Sequence, residues 1–418
     1  MAKVSDVSAF WRTLKIANYR NYMAGNFSSQ FGMWVQRIAI QWLTWQLTHS
    51  PTWLGIIAFA DFFPNIVMAP LAGALTDRLN WLPSIRLYMW ISGAISLTMA
   101  GLVLNGAMTM ELLLALVVLN GTAMAFNYPV RLSIIHALVP HGALTSAIGI
   151  NALGFNIARI GGPAAAGFII LQWGVGQAFA FTALTDILFV AALYTISLAP
   201  RGERRERRAL RHIPGEIMEG FRYARSHPGI GPLLMILLAT TLFARPFNDL
   251  FAGFADDVFG RGAEGLAWLT GMLGVGAFTG SIFLARRDGI QGLTRMLVAA
   301  VLVFAVALIG FTATDIFWFA CICTALAGLA VVTIGVAEQT LLQTAVDSNM
   351  RGRILSLYTM IARGFPSIGA LVMGFIASFV GLRAPVMGGA VMCLVLWLWA
   401  RRRQARMAAI LEVPPRQG

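Results

Sequence analysis

The sequence predicts an all-α polytopic membrane protein, with twelve transmembrane helices in two pseudo-symmetric six-helix bundles. Three observations predict it. The chain is 58% hydrophobic and 12% charged, whereas a soluble domain is about 45–50% apolar and about 25% charged. Its apolar residues fall in long blocks, each near the roughly 20 residues that cross a bilayer as a helix. The chain also repeats itself. The connection Gly73-Ala-Leu-Thr-Asp77-Arg78 has a counterpart about 207 residues later in Gly280-Ser-Ile-Phe-Leu284-Ala-Arg286-Arg287. At the same offset Ala137-Leu-Val-Pro140 overlays Thr344-Ala-Val-Asp347. A constant offset across two connections makes the chain one unit of about six spans, used twice. Barrel strands are excluded, because they would be about 10 residues long and alternate in polarity.

In chain order the expected spans are 21–47, 52–75, 85–105, 110–130, 144–172, 177–198, 231–256, 265–285, 291–312, 315–343, 353–380 and 383–400. The segment before span one is polar and basic and has no cleavage-site pattern, so no removable signal peptide is read. Span one itself directs insertion. The domain expectation is an N-terminal bundle at 1–198, a cytoplasmic basic linker with an amphipathic helix at 199–230, and a C-terminal bundle with a basic tail at 231–418. In the linker Arg201–Arg211 is a basic run, and a short helix opens at Ile213-Pro214-Gly215 and continues through Ser226. Ile217, Phe221 and Tyr223–Ala224 give that helix an apolar face. It reads either as an interfacial helix on anionic lipid or as a solvated linker.

The net charge of +13 reports topology, not a nucleic-acid partner. Eight arginines lie between Arg201 and Arg225, and more cluster at Arg401–Arg403, all flanking apolar segments. The N-terminus carries Lys3, Arg12, Lys15 and Arg20. Later even-numbered connections carry Arg78 with Arg86, Arg131, the central cluster, Arg286, Arg287, Arg295, Arg351 and Arg353. The alternate connections, near His49, Asn105, Trp173 and Thr314, lack Lys and Arg except for Arg261 and Arg383. This asymmetry places both termini in the cytoplasm of a bacterial-type inner membrane.

No cofactor or metal is expected. Cys321, Cys323 and Cys393 sit in apolar segments and read as packing residues. The five histidines are scattered without metal-ligand spacing. No Gly-x-x-x-x-Gly-Lys-Ser/Thr loop exists to hold ATP.

These features resemble the major facilitator superfamily over roughly residues 20–400. Gly73, Asp77 and Arg78 look like the start of its loop between spans two and three. The match departs at Asn80, Trp81 and Leu82, where the family has glycine and two basic residues. The resemblance implies that this loop locks the cytoplasmic side. In span five, Gly149, Ala158, Gly162-Pro163, Ala166 and Gly167 are similar to the family's antiporter pattern. Small residues there permit close helix approach, and a proline removes one backbone hydrogen bond, as suits a gating helix. Generic small-residue packing is the alternative. Trp42-Leu-Thr-Trp-Gln-Leu-Thr48-His-Ser50-Pro51-Thr-Trp-Leu54-Gly55 and Met350-Arg351-Gly352-Arg353-Ile-Leu-Ser-Leu-Tyr358 resemble the drug–proton antiporter group that includes the enterobactin exporter and macrolide efflux proteins.

Charges at bilayer depth are costly and mark functional sites by default. Arg37, Asp61, Arg159, Asp186, Arg245, Asp249 and Arg363 are at mid-span, and Glu338 is nearer the cytoplasmic end of span ten. Structural ion pairs are the competing reading. Arg37 and Asp61 are each roughly 15 Å deep on adjacent antiparallel spans and are expected to pair. Asp249, with Arg245 four residues earlier on the same face, is the first choice for proton coupling. Pro246 between them frees a backbone carbonyl near Leu242. A surface ion pair is the alternative there. Asp61 is the second choice, and Arg37, Asp186 and Glu338 complete the coupling candidates.

The superfamily lines its central cavity with spans one, four, seven and ten. That implies substrate contact at Asn26, Gln30, Trp34, Asn120, Asn127, Tyr128, Thr241, Asn248 and Gln339, joined by Arg159 and Arg363 from spans five and eleven. The reading is a monomeric secondary active transporter. It exports a hydrophobic or amphipathic small molecule, drug or siderophore-like, against protons by alternating access. A lipid or lysolipid flippase of the same fold is the nearest alternative. A polytopic membrane enzyme and a non-transporting receptor are the alternatives from other classes.

Overall fold

The computed structural model describes residues 10–76, 80–198, 213–287, 289–347 and 350–412. Asp77, Arg78 and linker residues 199–212 lie outside the described residues. The described elements are helical. In chain order they are α1 (Ala17–Thr48), α2 (Pro51–Thr76), α3 (Trp81–Leu104), α4 (Met110–Leu138), α5 (Leu144–Trp173) and α6 (Val175–Tyr194). Then follow α7 (Ile213–Ser226), α8 (Ile230–Phe243), α9 (Gly262–Ala285), α10 (Leu293–Ala313), α11 (Phe317–Ala345), α12 (Arg351–Val380) and α13 (Arg383–Leu411). Helices α1–α6 match the first six expected spans, and α8–α13 the last six.

Ten of these, α3–α6 and α8–α13, are long and apolar enough to cross a membrane on hydropathy alone, counting α8 through to Val258. Helix α1 is long enough at 32 residues, but Asn26, Ser28, Ser29, Gln30, Gln36 and Gln41 dilute its apolar character. Polar side chains of this kind point to a helix that faces other helices and not lipid.

The repeat appears directly in the helix limits. Helix α4 at 110–138 and α11 at 317–345 differ by 207 at both ends. So do α5 at 144–173 and α12 at 351–380. The next residue in each case is a glycine with positive φ, Gly174 at 103° and Gly381 at 81°. Each stops one helix and lets the next leave in a new direction, a conformation that costs glycine little.

The described chain forms two compact units, Met1–Thr48 with Phe63–Arg207, and His49–Phe62 with Arg208–Gly418. In the first unit α1 packs on α5 and α6, and α3 packs on α4 and α6. Tyr19, Tyr22, Ile85, Met89, Ile134, Phe189 and Leu193 form a buried cluster. In the second unit α9 and α10 pack on α11, α10 packs on α13, and α12 packs on α8.

Helix α8 is broken. Pro246 cannot donate a backbone hydrogen bond, and the chain passes into a 3-10 turn over Arg245–Leu250 and a π turn over Phe254–Val258. The break is held by rings. Phe247, Phe251 and Phe254 are buried, and Phe254 stacks 4.8 Å from Phe311 of α10. The Leu242 carbonyl presses against Gly369 of α12, a contact only glycine allows.

Three sequence expectations change. Span four continues as helix to Leu138, so Arg131 lies inside α4 and not in a connection. Helix α13 carries Arg401–Arg403 and ends only at Leu411. Glu412 then accepts hydrogen bonds from the backbone N–H of Gly292 at 2.6 Å and of Thr294 at 2.8 Å. That is an anion on the first-turn N–H donors at the start of α10. Finally, the α-helical face expected for Arg245 and Asp249 does not form. A 3-10 turn aligns residues three apart, not four, so the i, i+4 alignment of an α-helix is absent over this stretch.

Candidate functional site

In the first unit polar side chains converge where α1, α4, α5 and α6 meet. Asp186 of α6 is 3% exposed. Its Oδ1 accepts from the Ser29 hydroxyl of α1 at 3.1 Å. Arg131 of α4 donates through Nη2 to Asn26 Oδ1 at 2.7 Å and to Ser29 Oγ at 3.5 Å. Its guanidinium also lies 4.8 Å from the Phe189 ring centroid. Ser29 therefore joins a buried acid to a cation, and the charge of Arg131 acts on Asp186. Asn151 of α5 closes the set by accepting from Asn26 at 2.8 Å and from Gln30 at 3.3 Å. Such a network ties four helices together and compensates a charge that would otherwise be costly.

The other candidates in this unit divide. Asn120 accepts from Ser92 at 3.3 Å. Asn127 is wholly buried and donates to Met89 Sδ at 3.3 Å. Tyr128 is 44% exposed. Trp34 packs against α5, with its ring 6.0 Å from Phe155, and the Arg37 guanidinium lies 5.8 Å from it. Arg159 donates to Asn156 Oδ1 at 2.9 Å. Gly162, Pro163 and Gly167 are buried. Gly162 is the residue that admits Trp34, because a Cβ there would strike the Trp34 Cβ. Gly149 faces open space, and α5 runs through Pro163 without interruption. Gly73 lies near the end of α2.

In the second unit the centre is Glu338 of α11. It is fully buried, and neither carboxylate oxygen has a hydrogen-bond partner among the described residues. Arg245, from the 3-10 turn, is the charge that acts on it. The Arg245 guanidinium lies against Gly335, one turn before Glu338, where a Cβ would sit 3.4 Å from Nη2. Tyr358 of α12 donates to the Gly335 carbonyl at 3.3 Å and feels Glu338, Arg245 and Arg363. One acid, two arginines and a phenol from three elements thus share one region. Asp249 is also buried, and Asn248 donates to it at 3.4 Å. Thr241 is buried, but its hydroxyl is occupied by the Leu237 carbonyl at 2.7 Å. Gln339 is exposed, and Asp61 is half-buried in α2.

Sequence reasoning missed three participants. Arg131 was counted as a loop charge. Asn151 and Tyr358 lie outside the spans on which attention fell, though Asn151 is followed at the repeat offset by Tyr358. A surface cluster was missed as well. His49, Asp256 and Asp257 place one ligand atom each within 4.8 Å of one another. They line or adjoin a pocket of about 590 Å³ with Ser50, Pro51 and Arg383. His49 itself has φ 42°.

Helix α7 is attached to the second unit by two polar contacts. Glu219 pairs with Arg353 at 2.5 Å, and the Tyr223 hydroxyl donates to Asp347 Oδ2 at 2.9 Å. His227 Nδ1 then accepts from the backbone N–H of Gly229 and Ile230, both at 3.2 Å, at the start of α8. Partial burial moves the His227 pKa below its ordinary value, against the opposing influence of Asp347.

A protein family described as transmembrane secretion effectors matches residues 8–414. The staphyloferrin A transporter of Staphylococcus aureus is 24% identical over 394 residues, covering 91% of this chain and 96% of that protein. The enterobactin exporter EntS of Escherichia coli is 23% identical over 362 residues, covering 85% and 84%. Among solved structures, an inward-facing, unoccupied bacterial homologue of the human lysosomal transporter Spinster aligns with a TM-score of 0.68 at 17% identity, covering 99% of this chain and all of that one.

Proposed function

We propose, for a chain that belongs to the transmembrane secretion effector family of major facilitator transporters, proton-coupled export of a hydrophobic or amphipathic small molecule. Membership makes it a multi-pass membrane transporter and not an enzyme. The finer reading rests on one observation, the wholly buried Glu338 with no hydrogen bond to either oxygen and Arg245 beside it.

An ionised carboxylate in such surroundings is costly. Either a proton or close pairing with an arginine relieves that cost. The two remedies exclude each other, so a residue that alternates between them carries one proton per cycle. Arg245 sits on the broken segment of α8, where a 3-10 turn replaces the regular α-helix. Moving that segment would lengthen or shorten the distance to Glu338 and change which remedy applies. Alternating access then couples proton loading on one side to substrate release on the other.

This reading ranks Glu338 with Arg245 above Asp249 for the coupling role, and leaves Asp186 to tie the first unit together. Arg37 and Asp61 belong to different compact units. The chain acts as a monomer in the inner membrane, with both termini cytoplasmic and lipids around it. The relatives named for staphyloferrin A and for enterobactin favour export of an amphipath over lipid flipping.

The test begins with a thermal-shift ligand screen on purified protein. Labelled hits are then followed in liposomes. Transient accumulation of label by counterflow, and steady accumulation under a pH gradient, are expected. Binding without counterflow would identify a receptor instead.

A further inference from the structure

Arg159 of α5 and Trp34 of α1 each keep a donor sealed from solvent, the Arg159 Nε and the Trp34 Nε1, that nothing among the described residues accepts. The spacing of α5 places both on the seam between the two helices. Phe155, Arg159 and Gly162 lie at i, i+4 and i+7 on one face of α5. The first and last of these hold the Trp34 side chain, Phe155 by ring contact and Gly162 by its missing Cβ. Phe31, one turn before Trp34, packs on the neighbouring Gly161.

The charge balance makes the seam unusual. Asp186, the buried acid of this unit, is engaged by Ser29 and acted on by Arg131. Arg159 makes no ion pair among the described residues. Its hydrogen bond among the described residues, to Asn156 three residues earlier on the same helix, uses Nη2 and leaves Nε without an acceptor. Arginine and the indole N–H are donors only, and neither can be satisfied by turning its side chain around. An arginine at bilayer depth without a counter-charge points to function. A structural arginine would have its fork filled. A pair of donors beside aromatic rings is matched by one kind of guest, an oxygen anion on an apolar or aromatic body.

We propose that the α1–α5 seam of the first unit is an oxyanion-accepting subsite, and that the exported amphipath is an anion. Arg159 supplies the charge and an Nε–H, Trp34 supplies an N–H, and Phe155 and Phe31 supply the apolar wall. This deepens the transport reading above and rests on it for the identity of the guest as cargo. The same chemistry would also receive the phosphate of a lipid headgroup.

The test uses three ligands with one aromatic body: 2-naphthoate, 2-naphthamide and 2-naphthylmethylammonium. Equilibrium binding is measured on the full-length protein in phosphatidylcholine nanodiscs. The expected order is naphthoate tightest, by about tenfold over the amide, as befits charge-assisted hydrogen bonds. Arg159→Gln should erase that preference. Trp34→Phe, which keeps a ring and removes the N–H, should reduce it several-fold. Equal affinity for the three ligands, a preference for the cation, or a naphthoate preference that survives in Arg159→Gln overturns the proposal. If Arg159→Gln does not fold, Arg159→Lys decides, since it keeps the charge and loses the Nε–H. Unchanged naphthoate affinity there overturns the proposal, and a several-fold loss supports it. Adding phosphatidylglycerol identifies the source of the anion. Displacement of naphthoate gives the seam to a lipid and overturns the substrate role, whereas undisturbed binding supports it. A protein that binds naphthoate in this way but never moves it contradicts the transport reading and leaves the subsite standing.

Discussion

Arg131 and Glu338 occupy the same position in the two halves of the chain and carry opposite charges. Each lies seven residues before the end of its helix, 131 to 138 in α4 and 338 to 345 in α11. The repeat offset of 207 carries one onto the other. In the first unit the arginine is bonded into a polar network that includes Asp186. In the second the glutamate has no hydrogen bond among the described residues, and an arginine from the broken part of α8 acts on it. The repeat thus preserves a place for charge, with one copy tied down and the other left able to change partner.

Removing Arg131 is expected to harm the first unit more than removing its whole network. Arg131→Ala leaves Asp186 buried without its cation, at a cost of about 3 kcal/mol. Arg131→Ala with Asp186→Asn should recover much of that loss. Thermal unfolding of the two single variants and the double variant measures it, and additive losses would show that the two residues are independent.

The glycines of the span-five pattern should separate into two classes. Gly162→Ala places a methyl on the Trp34 Cβ and overpacks the α1–α5 contact, costing roughly 1–3 kcal/mol. Gly149→Ala meets open space and should be neutral, or stabilise the helix by about 0.5–1 kcal/mol. Thermal-shift measurements on both variants compare them directly.

That contrast also shows what the sequence could reveal. Hydropathy, charge asymmetry and the repeat were enough for the helices, because span length and period are local properties. The paired stops at Gly174 and Gly381, also 207 residues apart, came only with the backbone, where both have positive φ. The pattern in α5 identified small residues, but only the neighbour across the seam shows that Gly162 is filled by Trp34 and Gly149 by nothing. The broken helix was legible from Pro246, yet not its 3-10 form, nor that Arg245 acts on Glu338 of α11. Arg131 was illegible for another reason. A charge near the end of a span has the same sequence signature whether it lies in a loop or inside an extended helix.

The junction between α7 and α8 is expected to loosen in mild acid. Burial holds the folded His227 pKa below its unfolded value of about 6.5. Its contribution to stability is therefore complete above that pH and is lost as pH falls towards the folded pKa. Protonation also removes the acceptor used by the Gly229 and Ile230 amides. Hydrogen exchange, corrected for intrinsic rate, should show weaker protection of these two amides at pH 5.5 than at pH 7.5 (both roughly one unit from the unperturbed value). His227→Asn should remove the pH dependence. Equal protection at both pH values would contradict it.

Topology follows from the arginine distribution. Single cysteines at Ser50 and at Arg208 are expected to differ in intact cells, with a membrane-impermeant maleimide labelling Ser50→Cys and sparing Arg208→Cys. Labelling of Arg208→Cys alone would reverse the orientation.

The proposed role of Glu338 as proton carrier is tested by comparing two fluxes in liposomes holding Glu338→Gln protein, substrate exchange at equal pH and substrate accumulation driven by a pH gradient. Exchange is expected to continue while gradient-driven accumulation falls by about tenfold or more, since the neutral amide removes the titrating group and retains the shape. Asp249→Asn protein, measured alongside, should keep both fluxes. Full gradient-driven accumulation by Glu338→Gln, with loss of it in Asp249→Asn, would contradict the account and give the coupling role to Asp249.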